Sequence, residues 1–102
     1  MSRRSQIEEL LRDDPHDEFL MYALANELVT EGDLPAALAA FDRVLARHPD
    51  YVPAYFRKGQ TLAQEGDSDA ARDVLTRGIA VADRVGDAHA SGEMTAFLDT
   101  LS

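Results

Sequence analysis

Gly32-Asp33-Leu34-Pro35-Ala36-Ala37-Leu38-Ala39-Ala40-Phe41-Asp42-Arg43-Val44-Leu45-Ala46-Arg47-His48-Pro49 is the stretch that decides the fold. Gly32 ends one helix, Asp33 caps the next, and Pro35 stands in a first turn, where its missing N–H is no loss. Ala37, Leu38, Phe41, Val44 and Leu45 then share a face at helical spacing until His48-Pro49 closes the segment. The punctuation recurs at an interval of 34 residues, Gly32-Asp33 as Gly66-Asp67 and Pro15 as Pro49. Ile7, Phe41 and Leu75 fall on one lattice of that period, and Leu11, Leu45 and Ile79 on another. A fixed period of this length marks stacked helix-turn-helix units, each with a bare apolar side that only a neighbour can cover.

Outward from that stretch the pattern predicts five or six helices. Ser5 and Glu8 form a capping box over a short first helix with Ile7, Leu10 and Leu11 on one face, stopped by Asp13-Asp14-Pro15. A second helix runs from about Asp17 to Thr30 on a stripe of Leu20, Met21, Leu24 and Leu28. A fourth spans about Val52 to Gln64 and closes on Gly66. The fifth starts near Ser68 or Asp69, carries Ala71, Val74, Leu75 and Ile79, and extends toward Val85. The sixth, from about Ala88 to Leu101, carries Met94, Phe97, Leu98 and Leu101. Short connections make consecutive helices antiparallel. Small residues at Ala25, Gly59, Ala37 and Ala71 admit close helix approach, while Phe41 and Tyr55 fill the gaps beside them. Lys58 stands where an apolar side chain is expected, so its stem packs and its ammonium reaches water. The expected fold class is all-α, an antiparallel helix-turn-helix solenoid of five to six helices in a single domain, residues 1–102.

Composition narrows the function. The chain has 102 residues, leaving no room for a separate catalytic domain. Nineteen acidic residues against ten basic ones give a net charge of -9. That disfavours nucleic acid, whose binding rests on neutralising phosphates, and an anionic membrane surface for the same reason. Basic protein segments remain compatible with it, although acidity also serves solubility. With no cysteine there is neither disulfide nor thiolate chemistry. No stretch approaches a membrane span or a secretory signal, so a cytoplasmic location is expected. Nine arginines to one lysine, with abundant Ala and Asp, resemble the product of a GC-rich bacterial genome.

Candidate chemistry is sparse. His16, His48 and His89 lie at helix boundaries with no i, i+4 histidine pair of the kind that holds a metal. Asp13-Asp14, Asp17-Glu18 and Asp67-Ser68-Asp69 sit where acids cap helices and complement their dipoles, and the last lacks the further ligands of a calcium loop. The glycines are scattered and form no phosphate cradle. No enzyme, metal or cofactor is expected.

The lattice positions resemble the tetratricopeptide repeat family. One unit matches it at Met21, Leu24-Ala25, Leu28, Gly32, Ala37, Phe41 and Pro49, and the next at Tyr55, Gly59, Leu62, Gly66, Ala71 and Leu75. The resemblance implies an N-terminal half-repeat at residues 1–15, repeats at 16–49 and 50–83, and a capping helix at 84–102. Past Asp83 it weakens, because His89, Gly92 and Glu93 stand where the pattern expects Trp, Leu and Gly. It also implies that the first helix of each repeat lines a concave groove for a peptide or helix of a partner protein. The residues so placed are Phe19, Tyr22, Asn26 and Thr30, then Phe56, Arg57, Gln60 and Gln64, with Ala90, Met94 and Phe97 from the last helix. A clamp for a C-terminal carboxylate, which some members build from lysines, an arginine and asparagines, is matched at Asn26 alone. Tyr22, Asp87 and Ser91 replace basic or amide positions, and Arg57 replaces an asparagine while offering a cation to a ligand carboxylate. The function expected is an interaction adaptor. The alternative is a structural module that self-associates through its end helices.

Overall fold

The computed structural model describes residues 2–101. They form six helices, α1 (Arg3–Asp13), α2 (Glu18–Thr30), α3 (Leu34–Arg47), α4 (Val52–Gln64), α5 (Ser68–Val85) and α6 (Ala88–Asp99). No strand occurs among the described residues, and the architecture is an all-α helical repeat. The helices divide into two compact units, α1 to α3 up to Pro49 and α4 to α6 from Asp50 onward. The outermost residues of the expected segments, Met1 and Ser102, lie outside the described residues.

The turns show why the repeat punctuation works. Gly32 and Gly66 adopt φ of +83° and +88°, a left-handed conformation that strains a residue bearing a Cβ. Bent that way, the chain lets the Asp33 N–H donate to the Leu28 carbonyl and the Gly32 N–H to that of Val29, so the departing helix keeps its last acceptors satisfied. Asp33 Oδ1 then accepts from the Ala36 N–H at 3.2 Å and opens α3. Asp67 does the same for α5 through Ala70 at 3.1 Å. A third copy of the device sits at Gly86-Asp87, where Asp87 Oδ1 accepts from Ala90 at 3.1 Å and opens α6. It lies off the 34-residue lattice because it joins α5 to α6, whereas Gly32-Asp33 joins α2 to α3 and Gly66-Asp67 joins α4 to α5.

One boundary differs from expectation. Ser2, not Ser5, caps α1: its Oγ accepts from the Ser5 N–H at 3.1 Å. The earlier start brings Arg3 and Arg4 into the helix. From there they reach Glu27 and Glu31 of α2, each at 3.3 Å, which the Ser5 boundary would not have ordered.

In the first unit α1 and α3 both pack on α2. Ala25 and Ala37 are fully buried and permit the close approach of α2 and α3. Phe41 is also fully buried, a burial worth roughly 1.5–3 kcal/mol. The end of α3 is tied to the turn before α2 by His48, whose Nε2–H donates to the His16 carbonyl at 2.7 Å.

In the second unit α5 packs on both α4 and α6 around Val52, Leu75, Ala82 and Met94. Two glycines make this possible. A Cβ at Gly59 would lie 2.7 Å from Leu75 Cδ2, and one at Gly78 would lie 2.6 Å from Tyr55 Cβ and 2.7 Å from Met94 Sδ. Thr61, the buried polar residue, donates its hydroxyl to the Arg57 carbonyl at 2.8 Å, one turn back.

Candidate protein-interaction face

Residues three and four apart share a helix face, and α2 presents Phe19, Tyr22, Asn26 and Thr30 on one. Phe19 stands in the first turn and is 68 % exposed, unusual for a side chain of that size. Tyr22 is half-buried because its ring leans on Phe41 of α3, centroids 6.1 Å apart and planes at 54°. Asn26 is half-buried one turn later. Thr30 is exposed, and its hydroxyl donates to the Asn26 carbonyl at 3.2 Å.

These four side chains line one cavity of about 440 Å³, together with Arg3, Ala23 and Glu27. Arg3 and Glu27 pair on its wall, Nε to Oε2 at 3.3 Å. The wall therefore combines an open aromatic face, an amide and one ion pair. Shape and mixture suit a guest that brings apolar surface and a few polar atoms. Arg3 and Glu27 join this wall beyond the residues expected from the sequence. Glu27 was legible as the neighbour of Asn26 on the same helix, but nothing local places Arg3, which arrives only because α1 packs on α2.

The second unit has its own face on α4. Phe56, Arg57 and Gln60 are half-buried there and Gln64 is exposed. Phe56 meets Phe97 of α6 edge to face at 6.0 Å and 63°, and both rings rest against the core. Met94 does not join them. It is fully buried, with its sulfur against Gly78, so no surface of it remains for a ligand. The expectation failed because α6 turns its Met94 side into α5 to fill the space that glycine leaves.

No group of three or more His, Asp or Glu side chains converges on one point among the described residues. The clearest electrostatic perturbation is structural: Arg84 of α5 hydrogen-bonds Asp50 through Nη2–Oδ1 at 2.6 Å, holding that carboxyl below its ordinary pKa.

The model of the tetratricopeptide repeat family matches residues 22–90, more than half of the chain, with Arg3 and Phe19 lying before the match. The chain belongs to the tetratricopeptide repeat family. Among its relatives is a TPR repeat-containing protein of Pseudomonas aeruginosa, 28 % identical over 93 % of this chain and 90 % of that protein. A tetratricopeptide repeat domain protein of Salinibacter ruber, solved in solution, superposes with a TM-score of 0.83 at 31 % identity, over 87 % of this chain and 90 % of its own. The TPR2B domain of yeast Sti1, solved as a complex with pHsp70, shares the fold with a TM-score of 0.89 at 18 % identity, over 96 % of this chain and 78 % of its own. The six helices among the described residues run 11 to 18 residues.

Proposed function

We propose that this tetratricopeptide repeat chain is a protein-interaction adaptor without catalytic activity, and that a segment of its partner lies against the α2 face of the first unit. The observation that carries the reading is Phe19, largely exposed on the wall of a 440 Å³ cavity that also holds Tyr22 and Asn26. Full burial of such a ring is worth about 1.5–3 kcal/mol, and a partner that covers Phe19 recovers the larger part of it. The amide supplies hydrogen bonds of the kind a peptide main chain needs. Phe56, Arg57, Gln60 and Gln64 form a second contact face of the same character on the other unit. The complex with pHsp70 described for the TPR2B domain supports a protein partner in kind, not in identity.

We further propose that the repeats follow residues 16–49 and 50–83, between a half-repeat and a capping helix. The setting proposed is the bacterial cytoplasm. Among the described residues no helix is long and apolar enough to cross a membrane.

A second reading, self-association through α1, draws on Leu10, which is 55 % exposed on that helix. Light scattering over a dilution series separates the two, since a strict monomer leaves only the adaptor. The adaptor reading is tested by capture from the native cell with the wild-type chain and with Phe19→Ala/Asn26→Ala. A protein retained by the first and lost from the second, at equal thermal stability of the baits, is the expected result. An identical set on both baits overturns the α2 face.

A further inference from the structure

We infer that the α2 face selects a cationic side chain of the partner, a lysine or an arginine, for Glu27, and that Arg3 occupies that place until the partner arrives. The inference rests on the adaptor reading and adds the chemistry of the occupant. Charge gives the first argument. Up to Pro49 the chain carries five basic side chains against ten acidic ones, so the first unit attracts cationic segments and repels anionic ones.

The ion pair on the cavity wall gives the second. Its two members are unequal: the Glu27 side chain is 17 % exposed, while that of Arg3 is 77 % exposed. The carboxylate is fixed in the wall, and the guanidinium reaches it from the first residue of α1. A pair with so exposed a member is worth at most about 1 kcal/mol, so a competing cation displaces Arg3 at little cost. Exchange of one cation for another keeps Glu27 neutralised throughout. Among the described residues of this wall Arg3 is the cation an anionic guest would meet, and drawing it away leaves a largely buried carboxylate uncompensated.

The aromatic rings give the third. Phe19 and Tyr22 line the same cavity as Glu27. A cationic side chain that passes such rings on its way to a carboxylate gains from their faces as well, and its aliphatic stem covers the exposed Phe19.

The test titrates two blocked tripeptides, acetyl-Leu-Arg-Leu-amide and acetyl-Leu-Glu-Leu-amide, into the full ¹⁵N-labelled chain and follows backbone amide shifts. The arginine peptide is expected to move amides between residues 19 and 30. Glu27→Gln should then raise its Kd about five-fold, the equivalent of the strongest exposed pair. Arg3→Ala should lower that Kd about two-fold by removing the competitor, and it keeps the test decisive if Glu27→Gln loosens α1. Weaker binding of the arginine peptide to Arg3→Ala overturns the inference. Equal or tighter binding of the glutamate peptide on the same residues overturns it too, while leaving the adaptor reading in place. If neither peptide moves residues 19–30, both readings fall.

Discussion

Glycine at position 78 is a residue whose removal should cost stability for a reason opposite to its helix propensity. In an open helix, Gly→Ala gains up to about 1 kcal/mol. At Gly78 the added methyl would stand 2.6 Å from Tyr55 Cβ and 2.7 Å from Met94 Sδ, and the former, anchored directly to backbone, has little room to yield. Overpacking of this kind costs about 1–3 kcal/mol, so Gly78→Ala should be destabilised. Gly92 in α6 has nothing within 4 Å of its would-be Cβ, and Gly92→Ala should be stabilised. Urea melts of the two variants check the opposite signs, and equal signs would refute the packing argument. Single residues also show what the sequence discloses. Gly32-Asp33 and Gly66-Asp67 were readable because their chemistry is local: a left-handed turn and a side-chain cap need only their own neighbours. Met94 was misread because its environment is not local. Periodicity gives α6 an apolar stripe, but whether that stripe meets a ligand or α5 depends on Gly78, sixteen residues earlier.

Between elements, the pair Asp50–Arg84 joins the turn before α4 to the last turn of α5, 34 residues on. Arg84 there also complements the dipole of the helix it ends. The hydrogen bond from Arg84 depresses the Asp50 pKa, with the charge of Arg84 acting in the same direction. A depressed carboxyl pKa means that the unfolded chain takes up the proton first as pH falls. The pair's contribution is therefore complete above the ordinary carboxylate range and fades as pH drops through the lowered value. Asp50→Asn should melt slightly below wild type at neutral pH, and the gap should close in strong acid. Thermal melts across pH 7 to 2 check this, and a gap independent of pH would contradict it. Element boundaries were legible to within a residue or so wherever a Gly-Asp or Pro signal existed. The start of α1 was not, because the Ser5–Glu8 spacing fits a capping box by local chemistry while the helix begins at Ser2. The start at Ser2 goes with contacts to another helix, Arg3 to Glu27 and Arg4 to Glu31, which local sequence does not disclose.

For the molecule as a whole, the fold was written in a 34-residue rhythm and the family match agrees with it. The candidate face was half legible. The family resemblance pointed to Phe19, Tyr22, Asn26 and Thr30, which helical spacing keeps on one side of α2, whereas the ion pair beside them depends on the packing of α1. Phe19, exposed beside Glu27 and Asn26 on an acidic chain, is the feature on which the proposed contact rests. The most direct measurement is hydrogen–deuterium exchange of the full chain with and without the protein that the wild-type bait retains and the Phe19→Ala/Asn26→Ala bait loses. Protection concentrated in residues 19–30 is the predicted result. Unchanged exchange across that segment, with protection confined to α1 or α3, would contradict the α2 face as the place where the partner lies.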